Sequence, residues 1–231
     1  MSSNDQDTAE PESHFGHTKQ TYRVLLDGDW DLDDLYEFPH AFNQCYAFIF
    51  CLDSELDTID QQRIDGALAV YPWRGGYSYV NIYFVLQNQV PWRFRPTIKA
   101  MHKASPGWLD LFLNADVAIQ IAKAVTALAG AGVVAVKSYA AIKKTLSQIA
   151  VERERAKLQT FQLSAQQQKT LIGMCEGLAK HLGFKNLKEL HQRTGDPEVS
   201  LKLLSAHYRR TKVLLEYVEE GKATLPVHRD G

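Results

Sequence analysis

Residues 92–136 read WRFRPTIKAMHKASPGWLDLFLNADVAIQIAKAVTALAGAGVVAV, and the point at which this stretch turns from extended to helical decides the fold. Its first part, residues 92–103, follows Pro91 and mixes aromatic, β-branched and basic side chains, which predicts a strand. Ser105-Pro106-Gly107 then punctuates the chain. Serine is a good N-cap and proline a good first helical residue, so the tripeptide reads as the end of a sheet and the start of a helix. Residues 108–128 keep an apolar face through Leu109, Phe112, Leu113, Val117, Ile121 and Val125, as that helix would require. Ala129-Gly130-Ala131-Gly132 is a natural break. Beyond it, Tyr139, Ile142, Leu146 and Ile149 give the spacing of a helix packed in a bundle or a short coiled coil.

Working outward toward the N-terminus, residues 71–86 (YPWRGGYSYVNIYFVL) are rich in aromatic and β-branched residues and read as a strand pairing with 92–103, with 67–70 as a candidate third strand. Thr21 to Leu26 is another short strand, followed by an Asp27-Gly28 turn. Asp29 or Asp31 caps a helix that Pro39 interrupts, opening a second helix with Ala41, Phe42, Cys45, Tyr46, Ile49 and Phe50 on its apolar face. A buried strand through CYAFIFCL is the alternative. Asp57 caps a further helix running to about Leu68. Residues 1–20 are polar and without periodicity, which predicts a disordered tail.

The C-terminal third is plainly punctuated. Ser164 with Gln167 and Asn186 with Glu189 form capping boxes, and Asp196-Pro197 caps a last helix. Gly183, Gly195 and Gly221 close the three helices. The expected fold is therefore α+β: a small antiparallel sheet with helices, followed by a mostly α-helical body. Its divisions are a 1–20 tail, a 21–107 head, a 106–163 long apolar helix or helical hairpin, a 164–222 three-helix module and a 223–231 disordered tail.

Composition bounds the function. The 231 residues carry 26 basic and 27 acidic side chains, a net charge near −1, which excludes a wholly basic nucleic-acid binder and an acidic disordered chain. The balance hides an asymmetry. Residues 27–65 net −10, residues 66–109 net +5 without an acid, and residues 110–231 net +6. Either the acidic helices face the basic strands or the basic tail, or one block faces a partner of opposite sign.

Catalytic and metal motifs are missing from the sequence. Asp27, Asp29 and Asp31 imitate the start of a calcium loop, but Leu32 and Phe38 stand where glycine and glutamate are needed. Asp53, Glu55, Asp57 and Asp60 are better read as helix-capping and solvated acids. The eight histidines form no ligand pair, and no nucleophile elbow, Walker loop or dinucleotide fingerprint is present. Cys45, Cys51 and Cys175 have neither a disulfide framework nor a zinc spacing. No metal, cofactor or catalytic residue is assigned. The N-terminus lacks the pattern of a signal peptide, so a cytoplasmic location is expected.

In order and layout, residues 21–136 resemble small uncharacterised bacterial proteins, some of them in mobile or defence-related gene neighbourhoods. The likeness rests on acidic helices, an aromatic-rich hairpin, the Ser105-Pro106-Gly107 turn and an apolar helix. It implies a context and transfers no activity.

Three functional expectations follow from the residues. The first is a non-enzymatic scaffold that self-associates or docks a protein partner, with Leu109, Phe112, Val117, Ile121, Ile142 and Leu146 carrying helix packing or an oligomer interface. The second is a nucleic-acid-binding accessory protein. In it Arg93, Arg95, Lys99 and Lys103 share one side of a strand and meet phosphates, while Trp92 or Phe94 stacks on bases. The third is a membrane-active effector using residues 108–136, although within 117–136 only the thirteen residues 124–136 are both uncharged and nearly all apolar.

Overall fold

The computed structural model describes residues 19–52, 56–70, 82–156 and 162–228. Strand β1 (Lys19–Leu26) leads into α1 (Leu32–Leu52), α2 (Thr58–Val70) and α3 (Ile82–Gln89). A 3-10 turn (Trp92–Phe94) precedes β2 (Thr97–His102) and β3 (Gly107–Asn114). Helices α4 (Ala115–Arg155), α5 (Ala165–His181), α6 (Leu187–Thr194) and α7 (Pro197–Glu219) follow, and β4 (Ala223–Thr224) closes the chain. The strands form one antiparallel sheet in the order β2-β3-β1-β4, so the chain is α+β, a sheet with helices followed by a mostly helical body.

The extended-to-helical transition falls at Asn114, not at Ser105. Leu109, Leu111 and Leu113 alternate into the core while Trp108 and Phe112 face outward, the period of a strand. The helical spacing of Leu109, Phe112 and Leu113 fits the same letters, and pairing to β1 along all eight residues settles the competition. Ser105-Pro106-Gly107 is the β2–β3 turn, and its Ser-Pro peptide is cis. Gly107 is required there, because a Cβ would stand 2.6 Å from the His102 carbonyl oxygen. The cap of α4 is Asn114, whose side-chain oxygen accepts from the amides of Asp116 and Val117 at 3.0 and 3.4 Å.

Three further expectations are corrected. Pro39 lies inside α1 instead of opening a second helix. The proline removes one backbone donor, but nearly every side chain from Phe38 to Leu52 is buried, and that packing carries the helix through. The helical backbone through Leu52 excludes the alternative of a buried strand through CYAFIFCL. Residues 82–86 are helical, with Ile82, Tyr83 and Leu86 buried at helical spacing beside α1, and residues 67–70 belong to α2. The remainder of the 71–86 expectation lies outside the described residues, as does nearly all of the 1–20 tail; β2 pairs with β3. Ala223-Thr224, placed in a disordered tail, pairs with Leu25 and Leu26 of β1.

Other local signals act as their chemistry dictates. Asp31 and Asp34 cap α1 reciprocally, each carboxylate accepting from the other's amide at 2.8 and 3.1 Å. Asp57 accepts from the Asp60 amide at 2.7 Å. Ser164 and Gln167 form a true capping box, and Asp196 caps α7, whereas the Asn186 side chain at the N-cap of α6 makes no capping hydrogen bond. Gly132, at φ +46° and ψ −127°, breaks α4 in two.

A single contiguous core runs from Tyr22 to Leu225. Helix α1 packs on α7, where Phe48 stacks on His207 with ring centroids 4.3 Å apart. The sheet therefore shares its core with the C-terminal helices. Its other face is uncovered among the described residues.

Candidate nucleic-acid interface

That outer face is assembled from three neighbouring strands. Register places Thr21 opposite Phe112, Arg23 opposite Asp110 and Leu25 opposite Trp108, with Thr97 and His102 of β2 flanking Phe112 and Trp108. The alternation that buries Tyr22, Val24 and Leu26 sends Lys19, Thr21, Arg23 and Leu25 outward.

Two aromatic platforms stand on the central strand. Arg23 grips Asp110 with two hydrogen bonds of 2.7 and 2.8 Å, and its guanidinium lies 4.6 Å from the Trp108 ring centroid. His102 leans against the same indole at 5.8 Å. The Arg23 hydrogen bonds hold the Asp110 carboxyl below the usual carboxylate range, so the pair stays charged at neutral pH. The result is a guanidinium held over an indole ring. The second platform is Phe112, 38% exposed, with the Lys19 and Lys99 amines 5.5 and 5.9 Å from its centroid. Lys99 also donates to the Thr21 hydroxyl at 3.2 Å. Neither Lys19 nor Lys99 has a salt-bridge partner among the described residues.

The basic aromatic segment does not form the single face expected of it. Trp92 is 84% exposed on the 3-10 turn. Phe94 is buried, its carbonyl accepting from the Tyr46 hydroxyl at 2.8 Å. Arg93 turns back to Asp57 and Asp60 at 3.5 and 3.4 Å. Arg95 and Lys103 donate to the carbonyls of Val90 and Trp30 at 3.1 and 2.8 Å. The turn rotates residues 92–94 out of strand geometry, and an irregularity between Ile98 and Ala100 shifts the register. Lys99 alone of the four cations joins the aromatic face. Sequence reasoning missed Lys19, Arg23, Trp108 and Phe112 as members of it. The signal was present in the alternation Trp108-Leu109-Asp110-Leu111-Phe112-Leu113.

The packing residues divide in a similar way. Leu109 and Phe112 are on β3, not on a helix, while Val117, Ile121, Ile142 and Leu146 of α4 are at most 3% exposed within this chain's own core. What α4 leaves open is Val133, Val134 and Val136 beside the Gly132 break. Helix α4 is the one described helix long and apolar enough to cross a membrane, and 39% of its most apolar window is buried inside the protein.

The acidic block is partly spent on internal pairs: Asp57 and Asp60 with Arg93, Asp34 with Lys222, and Asp65 with Arg193. Among the described residues no group of three or more His, Cys, Asp or Glu side chains is placed to hold a metal. His191 Nδ1 and Ser200 Oγ are 2.9 Å apart, but Ser200 is fully buried and also bonds Thr194 at 2.7 Å, a helix-junction contact closed to substrate. Burial pushes the Cys45 and Cys175 thiols up to about 12, which keeps them protonated and inert. No family model, curated protein or solved structure matches this chain.

Proposed function

We propose that the protein binds single-stranded nucleic acid across the open face of its sheet. The observation that carries this reading is the pairing of two outward aromatic platforms on β3, Trp108 and Phe112, with cations on both flanking strands. Unpaired bases stack on aromatic rings and on guanidinium planes, and phosphates meet lysine amines that have no carboxylate partner among the described residues. A duplex hides its base faces and has no use for such platforms. The cation set is small, so affinity is modest and salt-sensitive. Lys19 and Lys99 act on phosphates, Phe112 stacks directly, and Arg23 presents its plane from the Trp108 layer while Asp110 fixes its orientation.

The test is fluorescence anisotropy of a labelled single-stranded oligonucleotide titrated with protein over a range of salt. Phe112→Ala lowers affinity by roughly tenfold or more, the loss of one stacked base. The Lys19→Ala/Lys99→Ala double variant makes the slope of log K against log salt shallower by about 1.4, two phosphate contacts at about 0.7 each. Trp92→Ala leaves affinity unchanged. No binding at low salt would overturn the reading, as would binding lost through Trp92, Arg93 and Arg95 but not through Phe112.

A further inference from the structure

The break in α4 exposes an apolar surface that the nucleic-acid reading does not use. At Gly132 the backbone leaves helical geometry, and Val133, Val134 and Val136 emerge 68%, 63% and 53% exposed. Beside them a groove of about 350 Å³ opens between α4 and α7. Leu128, Ala135, Tyr208 and Leu215 give it an apolar lining, while Lys212, ion-paired to Glu216, and Glu219 stand at it from α7. We infer that this surface is the contact between two copies of the chain, with the valines of each copy seated against the α4–α7 groove of the other.

Charge selects a second copy over other occupants. Lys137, one turn beyond Val133, is exposed and has no salt bridge among the described residues. Glu219 at the groove is equally exposed and equally unbridged. One patch thus carries an apolar knob, an apolar groove and, among the described residues, a cation and an anion outside any salt bridge. A two-fold contact has this requirement, because each side must complement itself. A bilayer fits less well. Lys123 and Lys137 bracket thirteen residues, about 20 Å of helix against the roughly 30 Å of a hydrocarbon core, and the glycine break falls inside them.

The experiment is sedimentation equilibrium on the full chain, repeated with variants and paired with flotation on neutral and anionic vesicles. Wild type sediments at about twice 26.1 kDa in the micromolar range. Val133→Glu sediments as monomer, and the milder Val133→Ser weakens association at least tenfold. Both retain the wild-type circular dichroism and melting curve, because the side chain is outside the core. Lys137→Glu and Glu219→Lys each weaken the dimer, and the two together restore it. A wild type that stays monomeric at about 100 μM overturns the inference. So does a dimer indifferent to both the valine and the charge changes, or flotation with vesicles that Val133→Glu abolishes.

Discussion

Asp110 shows how much one buried carboxylate determines. It is 6% exposed on a strand face that otherwise meets solvent, and it lies there because Arg23 covers it with two hydrogen bonds. The pair holds the guanidinium over the Trp108 ring, where the proposed binding face would use it. A different residue governs stability. His207 is fully buried against Phe48 with no partner for Nδ1, and burial pushes its pKa down to about 3 from 6.5. Folded protein keeps the ring neutral, while unfolded chain takes up a proton below about pH 6.5. The contribution is therefore whole above that pH and is lost progressively as pH falls toward 3. Between pH 7 and pH 5 this group alone costs about 2 kcal/mol of stability. His207→Phe, measured by urea unfolding at both pH values, flattens the profile by about that amount. His191, whose pKa burial also lowers, leaves a smaller slope of the same sign in both proteins. Parallel profiles for the two proteins would contradict the account.

At the scale of elements, helix ends and breaks were legible where a side chain meets its own backbone. Asp57, Ser164, Asp196 and Gly132 act locally, and their positions follow from the letters. The strand β3 and the helix α3 were not legible, because both depend on distant packing. Leu109, Leu111 and Leu113 become a strand through pairing with β1, and the aromatic and β-branched residues of α3 become a helix through burial beside α1. Pro39 within α1 has the same origin. The caps give a paired prediction. Asn114→Ala removes two side-chain hydrogen bonds at a buried position and costs about 1–2 kcal/mol, whereas Asn186→Ala removes no capping hydrogen bond and costs less. Thermal unfolding of the two variants side by side reads the difference, and equal losses would refute the assignment of the α4 start.

In the molecule as a whole, the charge asymmetry of the sequence becomes partly internal. Carboxylates of residues 27–65 reach Arg93, Arg193 and Lys222, three cations far apart in the chain. Neutralising those cations leaves Lys19 and Lys99 as the unbridged cations of the aromatic sheet face, which no count of charges along the chain would isolate. The buried Glu198 of α7 clamps the C-terminal end of α4 through Arg153 at 2.5 Å, with Lys202 of its own helix at 2.7 Å, so the long helix is anchored at its end as well as at the sheet. The candidate site was half readable for the same reason. The sequence points to cations and aromatics near residue 99, but the strands that bring Lys19 and Arg23 beside Trp108 and Phe112 are more than eighty residues apart. The most direct test of that assembled face is photo-cross-linking of a thiouridine-substituted single-stranded RNA, with the modified peptides located by mass spectrometry. The account predicts cross-links on the β3 peptide at Trp108 and Phe112 and on β1 near Arg23. Cross-links confined to residues 92–95 or to the C-terminal helices, or none under binding conditions, would contradict it.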